Sequence, residues 1–212
     1  MKRKFTVAAA LAAAVAIALL AAAAFGAFAR GSHESAAGAR IGVHGAWKIV
    51  VKNPDGRVVA VRRFHNALTG GAAVSSGLLR GAQAFGWWEV ALTSTGTSPC
   101  TFSSGGAGAC VIVPTGHEAG ITLFSGHVFG GLSTSSITGG LRLSGQAFAD
   151  QAGTVDRVTS TVFRCAATVA PSSCDQTNWQ SGSSYTATSI TPLSLVAGQQ
   201  ILVTVDITFS TV

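Results

Sequence analysis

Charge is scarce in this chain. Asp, Glu, Lys and Arg make up 10% of the 212 residues, with eight acids against fourteen Lys and Arg. Long alternating stretches of Val, Ile and Thr argue against a disordered chain. After residue 30 no run has the length or helical period of a membrane span. There is no His-Glu-x-x-His helix to hold zinc and no Gly-x-Ser-x-Gly nucleophile elbow. The pairs Gly70-Gly71, Gly105-Gly106 and Gly139-Gly140 do not follow a strand and open a helix, as a phosphate-cradling loop must, so they read as turn glycines. No Cys lies near Ala29, which excludes a lipid-modified cysteine, and the processing Gly and early acid of a pilin-type start are missing.

What is present begins at the amino terminus. Lys2, Arg3 and Lys4 precede an uncharged run, and Ala27 and Ala29 supply the small residues of a signal cleavage site. The run covers 24 residues, longer than an ordinary signal core and close to the ~20 needed to cross a bilayer. Segment 1–29 therefore suits a cleaved signal peptide or a retained N-terminal anchor. Its alanine-rich makeup and the small-residue site that follows favour the signal. Both place the protein outside the cytosol, secreted or in the cell envelope. Residues 30–45 are small and polar, as in a flexible arm, and residues 46–212 form one domain with ample length for a core.

Four cysteines then fall in an oxidising compartment, where disulfides are the default. Four allow three connectivities. The local one, Cys100 with Cys110 and Cys165 with Cys174, closes loops rich in Gly, Ser and Pro. Nine and eight intervening residues are not the spacing of a zinc knuckle, and no His stands close by in sequence.

The formal charge of +6 is unevenly placed. From Arg40 to Arg63 there are six cations against Asp55 alone, whereas everything from Phe64 onward sums to −2. No nucleic-acid partner is expected from so local a patch. The basic segment reads as a hairpin, with strands over 46–52 and 57–64 around Asn53-Pro54-Asp55-Gly56. Pro presets a type I turn and Gly supplies the left-handed residue of a bulge. With Asn53 facing Arg57, Val51 pairs with Val59, Ile49 with Val61 and Trp47 with Arg63 on the core face, the last as a cation–π contact at the rim. Lys52 then faces Val58, and Lys48 faces Arg62, on the other side. Like charges directly opposite cost a few tenths of a kcal/mol. Lys48, Lys52, Arg57 and Arg62 are thus candidates for an anion-contacting face, unless they merely blunt an exposed sheet against aggregation.

Further strands are expected at 87–93, 110–113, 121–129, 141–149, 155–165, 185–195 and 200–209, and one short helix over 69–80 with Thr69 as N-cap and Gly81 as C-cap. About eight or nine strands without a βαβ rhythm make the expected fold all-β, an antiparallel β-sandwich. An outer-membrane barrel would need an outward apolar band on every strand, and 155–165 alternates poorly.

Catalytic candidates are thin. His117, Glu118 and His127 with Ser125 imitate a hydrolase constellation if adjacent strands bring them together. Asp150 and Asp156 bracket a turn, where Asp serves capping as readily as glycoside hydrolysis. Trp179 lies in a polar stretch after the second cysteine loop, where full burial of an aromatic is not expected, and is the one candidate sugar platform. No metal and no cofactor is expected.

The run Phe64-His65-Asn66-Ala67-Leu68-Thr69-Gly70-Gly71-Ala72, then Leu78-Leu79-Arg80-Gly81 and Trp88-Glu89-Val90-Ala91-Leu92, resembles the opening of β-sandwich subunits of phage tail appendages and related surface fibres. The resemblance covers about 30 residues. It implies sandwich topology and a non-enzymatic, assembling role, although virion proteins carry no export signal. The expected function is a structural surface-fibre or adhesin-type subunit, assembling by strand addition through the N-terminal arm or the last strand. The alternative is a small binding module whose basic hairpin engages an anionic envelope polymer or a lipid surface.

Overall fold

The computed structural model describes residues 41–67, 83–100, 109–118, 126–170, 173–174, 178–179 and 181–211. The expected signal, most of the arm and the expected helix over 69–80 lie outside these residues. Among the described residues the protein is all-β, with ten strands: β1 (Ile41–Lys52), β2 (Val58–Ala67), β3 (Gln83–Thr93), β4 (Ala109–Val113), β5 (Gly126–Gly130), β6 (Ser133–Ile137), β7 (Gly140–Phe148), β8 (Gly153–Ala166), β9 (Ser181–Leu195) and β10 (Gln200–Thr211). They form two five-stranded sheets, ordered β2-β1-β10-β7-β6 and β5-β4-β3-β8-β9.

Alternation drives the packing. In β1, Val43, Trp47, Ile49 and Val51 are buried, and in β10 so are Ile201, Val203, Val205 and Ile207. They share one apolar core with Trp88, Val90 and Leu92 of β3, Ile112 of β4, Leu143 of β7 and Tyr185 of β9, so the two sheets bury one face each in common. The Trp88 and Tyr185 rings meet edge to face at 5.2 Å within it. The opposite side of the second sheet buries a smaller cluster, Trp87, Ala91, Ala109, Val111, Val113 and Phe163, in which Trp87 and Phe163 stack 3.8 Å apart.

Both expected disulfides are present, Cys100 with Cys110 and Cys165 with Cys174. The first pair is fully buried in the shared core. The second approaches β3 so closely that a Cβ at Gly86 would run into Cys174 Sγ.

Several expectations are corrected. Among the described residues there are ten strands where about eight or nine were expected, and the fold is not wholly antiparallel, since β4 and β5 run parallel, Cys110 beside His127 and Val113 beside Gly130. A parallel pair needs a crossover, and periodicity carries no sign of direction. Strand β6 was not foreseen because its Ser-Thr-Ser-Ser sequence is solvent-exposed and leaves no apolar alternation. The last strand, one of the two segments expected to offer strand addition, is hydrogen-bonded on both sides within its own sheet, to β1 and to β7.

The hairpin register is corrected too. The turn is as expected: Asn53 N donates to Arg57 O at 2.9 Å, Gly56 N to Asn53 O at 2.8 Å, and Gly56 has φ +83°. Lys52 still faces Val58, but Val51 faces Ala60, so Val59 is an extra residue without a partner. That bulge turns the rest of β2 over. Ala60, Arg62, Phe64 and Asn66 now face inward, while Val59, Val61, Arg63 and His65 face solvent. The gain is aromatic: Phe64 takes the place expected for Arg63 opposite Trp47 and stacks on it, centroids 5.8 Å apart. Asn66 fits opposite Gly45 because a Cβ there would meet its Oδ1.

Candidate anion-binding face

The outward side of the first sheet can be read as rows of residues abreast. One row runs Arg63, Lys48, Thr204, Ser144 and Ser133 from β2 to β6. The next, toward the free end of β2, runs His65, Ala46, Asp206, Arg142 and Ser135. On the other side lies an apolar row, Val61, Val50, Leu202 and Gln146, and beyond it Lys52 beside Gln200. Two directly opposed cations therefore stand on this face, as expected, but the partner of Lys48 is Arg63 and not Arg62.

The chemistry of the rows is unequal. Arg142 donates from both arms of its guanidinium to Asp206, Nε to Oδ1 at 2.6 Å and Nη2 to Oδ2 at 2.7 Å. That fork holds the Asp206 carboxyl below its ordinary range, chiefly through the hydrogen bond, and raises Arg142 for the same reason. Asp206 is the one acid on the described strands of this face, and it is already engaged. Lys48, Arg63 and Lys52 thus carry charge on a face whose one carboxylate is already paired with Arg142. A groove of about 310 Å3, lined by Lys48, Arg63, His65, Thr204, Arg142 and Asp206 among others, runs over the junction of the two rows. Hydroxyl, guanidinium and ammonium donors converge there, a set suited to phosphate or carboxylate oxygens.

Of the four cations expected to form the face, Lys48 and Lys52 lie on it. Arg57 is exposed in the turn, where its N–H donates to Asp55 Oδ1 at 2.9 Å. Arg62 is turned to the inner side by the bulge, half-buried, against a cleft between β2 and β9. Arg63 and His65 replace it on the face, and Arg142 and Asp206 join from strands far along the chain. The first substitution follows from the bulge. The second follows from β10 lying between β1 and β7, which no local signal announced.

The described members of the hydrolase candidate set make other contacts. His127 Nδ1 meets Asp150 Oδ2 at 2.8 Å and its ring stacks on Phe129 at 4.1 Å. Glu118 instead accepts from Gly116 N at 2.7 Å, and His117 packs on Trp87 at 5.2 Å. Ser125 lies outside the described residues. Asp156 accepts from Thr95 Oγ1 and from Thr95 N, the latter at 3.0 Å, a capping role in which the hydroxyl first and the N–H second lower its pKa. Trp179 is half-buried, edge-on to Phe163 at 5.0 Å. Among the described residues no three His, Cys, Asp or Glu side chains are grouped to hold a metal ion.

Glu89 stands apart. It is fully buried on the outward side of the second sheet, and neither carboxylate oxygen has a hydrogen-bond partner among the described residues. Desolvation raises its pKa from 4.5 to about 7.

Searches against protein-family models, curated proteins and solved structures find no match to this chain.

Proposed function

We propose that this protein is an exported surface protein of the fibre or adhesin type, acting by contact without bond-making, whose contact face is the outer side of β1 and β2. The expected partner is an anionic envelope polymer or lipid surface. The observation that carries the reading is the opposed pair Lys48 and Arg63, held abreast on a sheet face whose single acid is engaged elsewhere. Two cations so placed repel each other, and an anion bridging them turns that cost into attraction. The apolar row Val61, Val50 and Leu202 beside Lys52 adds contact area for a partner that is not purely polar. The two disulfides fit an oxidising setting, and the fibre resemblance of 64–92 supports the surface role.

Cosedimentation with anionic phospholipid vesicles and with a soluble anionic polymer, each across a salt series, tests this. Charge reversal at both positions, Lys48→Glu with Arg63→Glu, should abolish binding to whichever partner is the true one. Wild-type binding should itself fade by ~0.5 M salt, where screening reaches within about 5 Å. Binding that survives both treatments overturns the proposal.

A further inference from the structure

Arg62 presents a different chemistry from the outer face. The bulge at Val59 brings it to the inner side of β2, beside Phe64 and across from β9. Its Nε is buried and has no hydrogen-bond partner among the described residues, and Nη1 reaches only the carbonyl of neighbouring Val61, at 3.4 Å. No acid lines the cleft of about 250 Å3 into which Arg62 is set; Thr188, Ser189, Ile190 and Thr191 of β9 form its other wall. A buried guanidinium donor without an acceptor is a group set for an anion.

The cleft also lies between two strand ends of the sheets. Among the described residues β2 is the terminal strand of the first sheet and β9 of the second, so each leaves one row of backbone donors and acceptors outside its ladder. Val58, Val59 and Val61 of β2 are 49, 44 and 37% exposed, an apolar flank along the same edge. A second copy of this chain is a poor occupant. Two β2 strands paired antiparallel about their middle would set Arg62, or in the next allowed register Arg63, opposite its own copy, with no carboxylate between them.

We propose that the β2 edge and its cleft dock an acidic peptide in extended conformation, which adds to β2 through its backbone and places a carboxylate on Arg62. Strand addition supplies affinity from main-chain hydrogen bonds, and alternate side chains supply specificity. Here apolar residues of the peptide would lie along the exposed valines and a Glu or Asp would enter the cleft. The cleft shares Arg63 and His65 of β2 with the outer face, but Arg62, Phe64 and its β9 wall are its own.

A blocked, fluorescein-labelled peptide Val-Glu-Val-Glu-Val-Glu-Val, titrated with the whole protein and read by anisotropy at about 0.3 M salt to suppress the outer face, is the direct test. Saturable binding is expected, with about tenfold or greater loss on replacing every Glu of the peptide by Gln. Arg62→Gln should weaken binding by about the same factor. Because that variant removes a packed side chain, Ser189→Glu is the second arm: it offers Arg62 a carboxylate from within the chain and should block the peptide while leaving the fold intact. Lys48→Gln should leave the affinity unchanged. Full affinity in Ser189→Glu, equal affinity for the Gln peptide, or equal affinity for a peptide N-methylated at alternate amides would each overturn the proposal. So would displacement of the peptide by a soluble polyuronate at equal carboxylate concentration, which would assign the cleft to an acidic glycan.

Discussion

Phe64 lies directly across from Trp47 and stacks on it with the ring planes 13° apart. The contact exists because one extra residue, Val59, shifts the register between the turn and the rest of β2. It sets which side chains of the hairpin face the core and which face the solvent.

Truncation of this strand should follow the bulged register. Phe64→Ala is expected to cost about 2 kcal/mol, below the range for a fully buried aromatic because the ring is half-buried. Val61→Ala, at an exposed position, should fall within about 0.5 kcal/mol of wild type. Urea unfolding followed by tryptophan fluorescence gives both values. The unbulged pairing, with Val61 in the core, requires the opposite order.

How far the chain could be read from its residues differs from element to element. The turn at Asn53 to Gly56, the alternation of Gln200–Thr211 and the cysteine pairing were legible, because each depends on neighbours in sequence. The bulge was not, since Val59 and Ala60 are both small and apolar and either fits a core. What decided the register was a partner ring seventeen positions earlier in sequence. The direction of β5 and the existence of β6 were likewise beyond reach, one because direction has no period and the other because a serine strand looks like a loop. The basic face was legible as a local excess of charge, and its exact membership was not: Arg142 and Asp206 enter through sheet order alone.

Glu89 makes stability depend on pH. Its folded pKa of about 7 lies above the ordinary 4.5, so between these values the folded state holds a proton that the unfolded chain has released. Stability therefore falls as pH rises from about 4.5 to 7 and is level above that, with a total of about 3 kcal/mol. Glu89→Gln should flatten this part of the profile. Denaturant midpoints at pH 4.5, 6 and 8 for both proteins decide it, and parallel profiles would assign the dependence to another group.

The second disulfide should be coupled to Gly86. A methyl group at Gly86 meets Cys174 Sγ on one side and Phe163 O at 3.0 Å on the other, so Gly86→Ala is expected to destabilise by about 1–3 kcal/mol. In a background with Cys165→Ser and Cys174→Ser the tether is gone and Cys174 can move. The cost of Gly86→Ala should then fall, giving a positive coupling in a double-mutant comparison of melting curves. An unchanged cost would place the strain at the Phe163 carbonyl alone.

The ion pair of Arg142 and Asp206 should matter more to the charge of its face than to the fold. Its side chains are 46 and 27% exposed, and pairs of that kind contribute up to about 1 kcal/mol. Asp206→Asn keeps the shape and a hydrogen-bond acceptor while removing the one acid beside Lys48, Arg63 and Arg142. It frees the Arg142 guanidinium for an external anion at the groove it already lines. Binding to the anionic partner identified by cosedimentation should tighten by several-fold at low salt and return to wild type near 0.5 M, with the melting temperature nearly unchanged. Weaker binding would mean that Asp206 itself contacts the partner, and that the groove accepts a group carrying donors as well as charge.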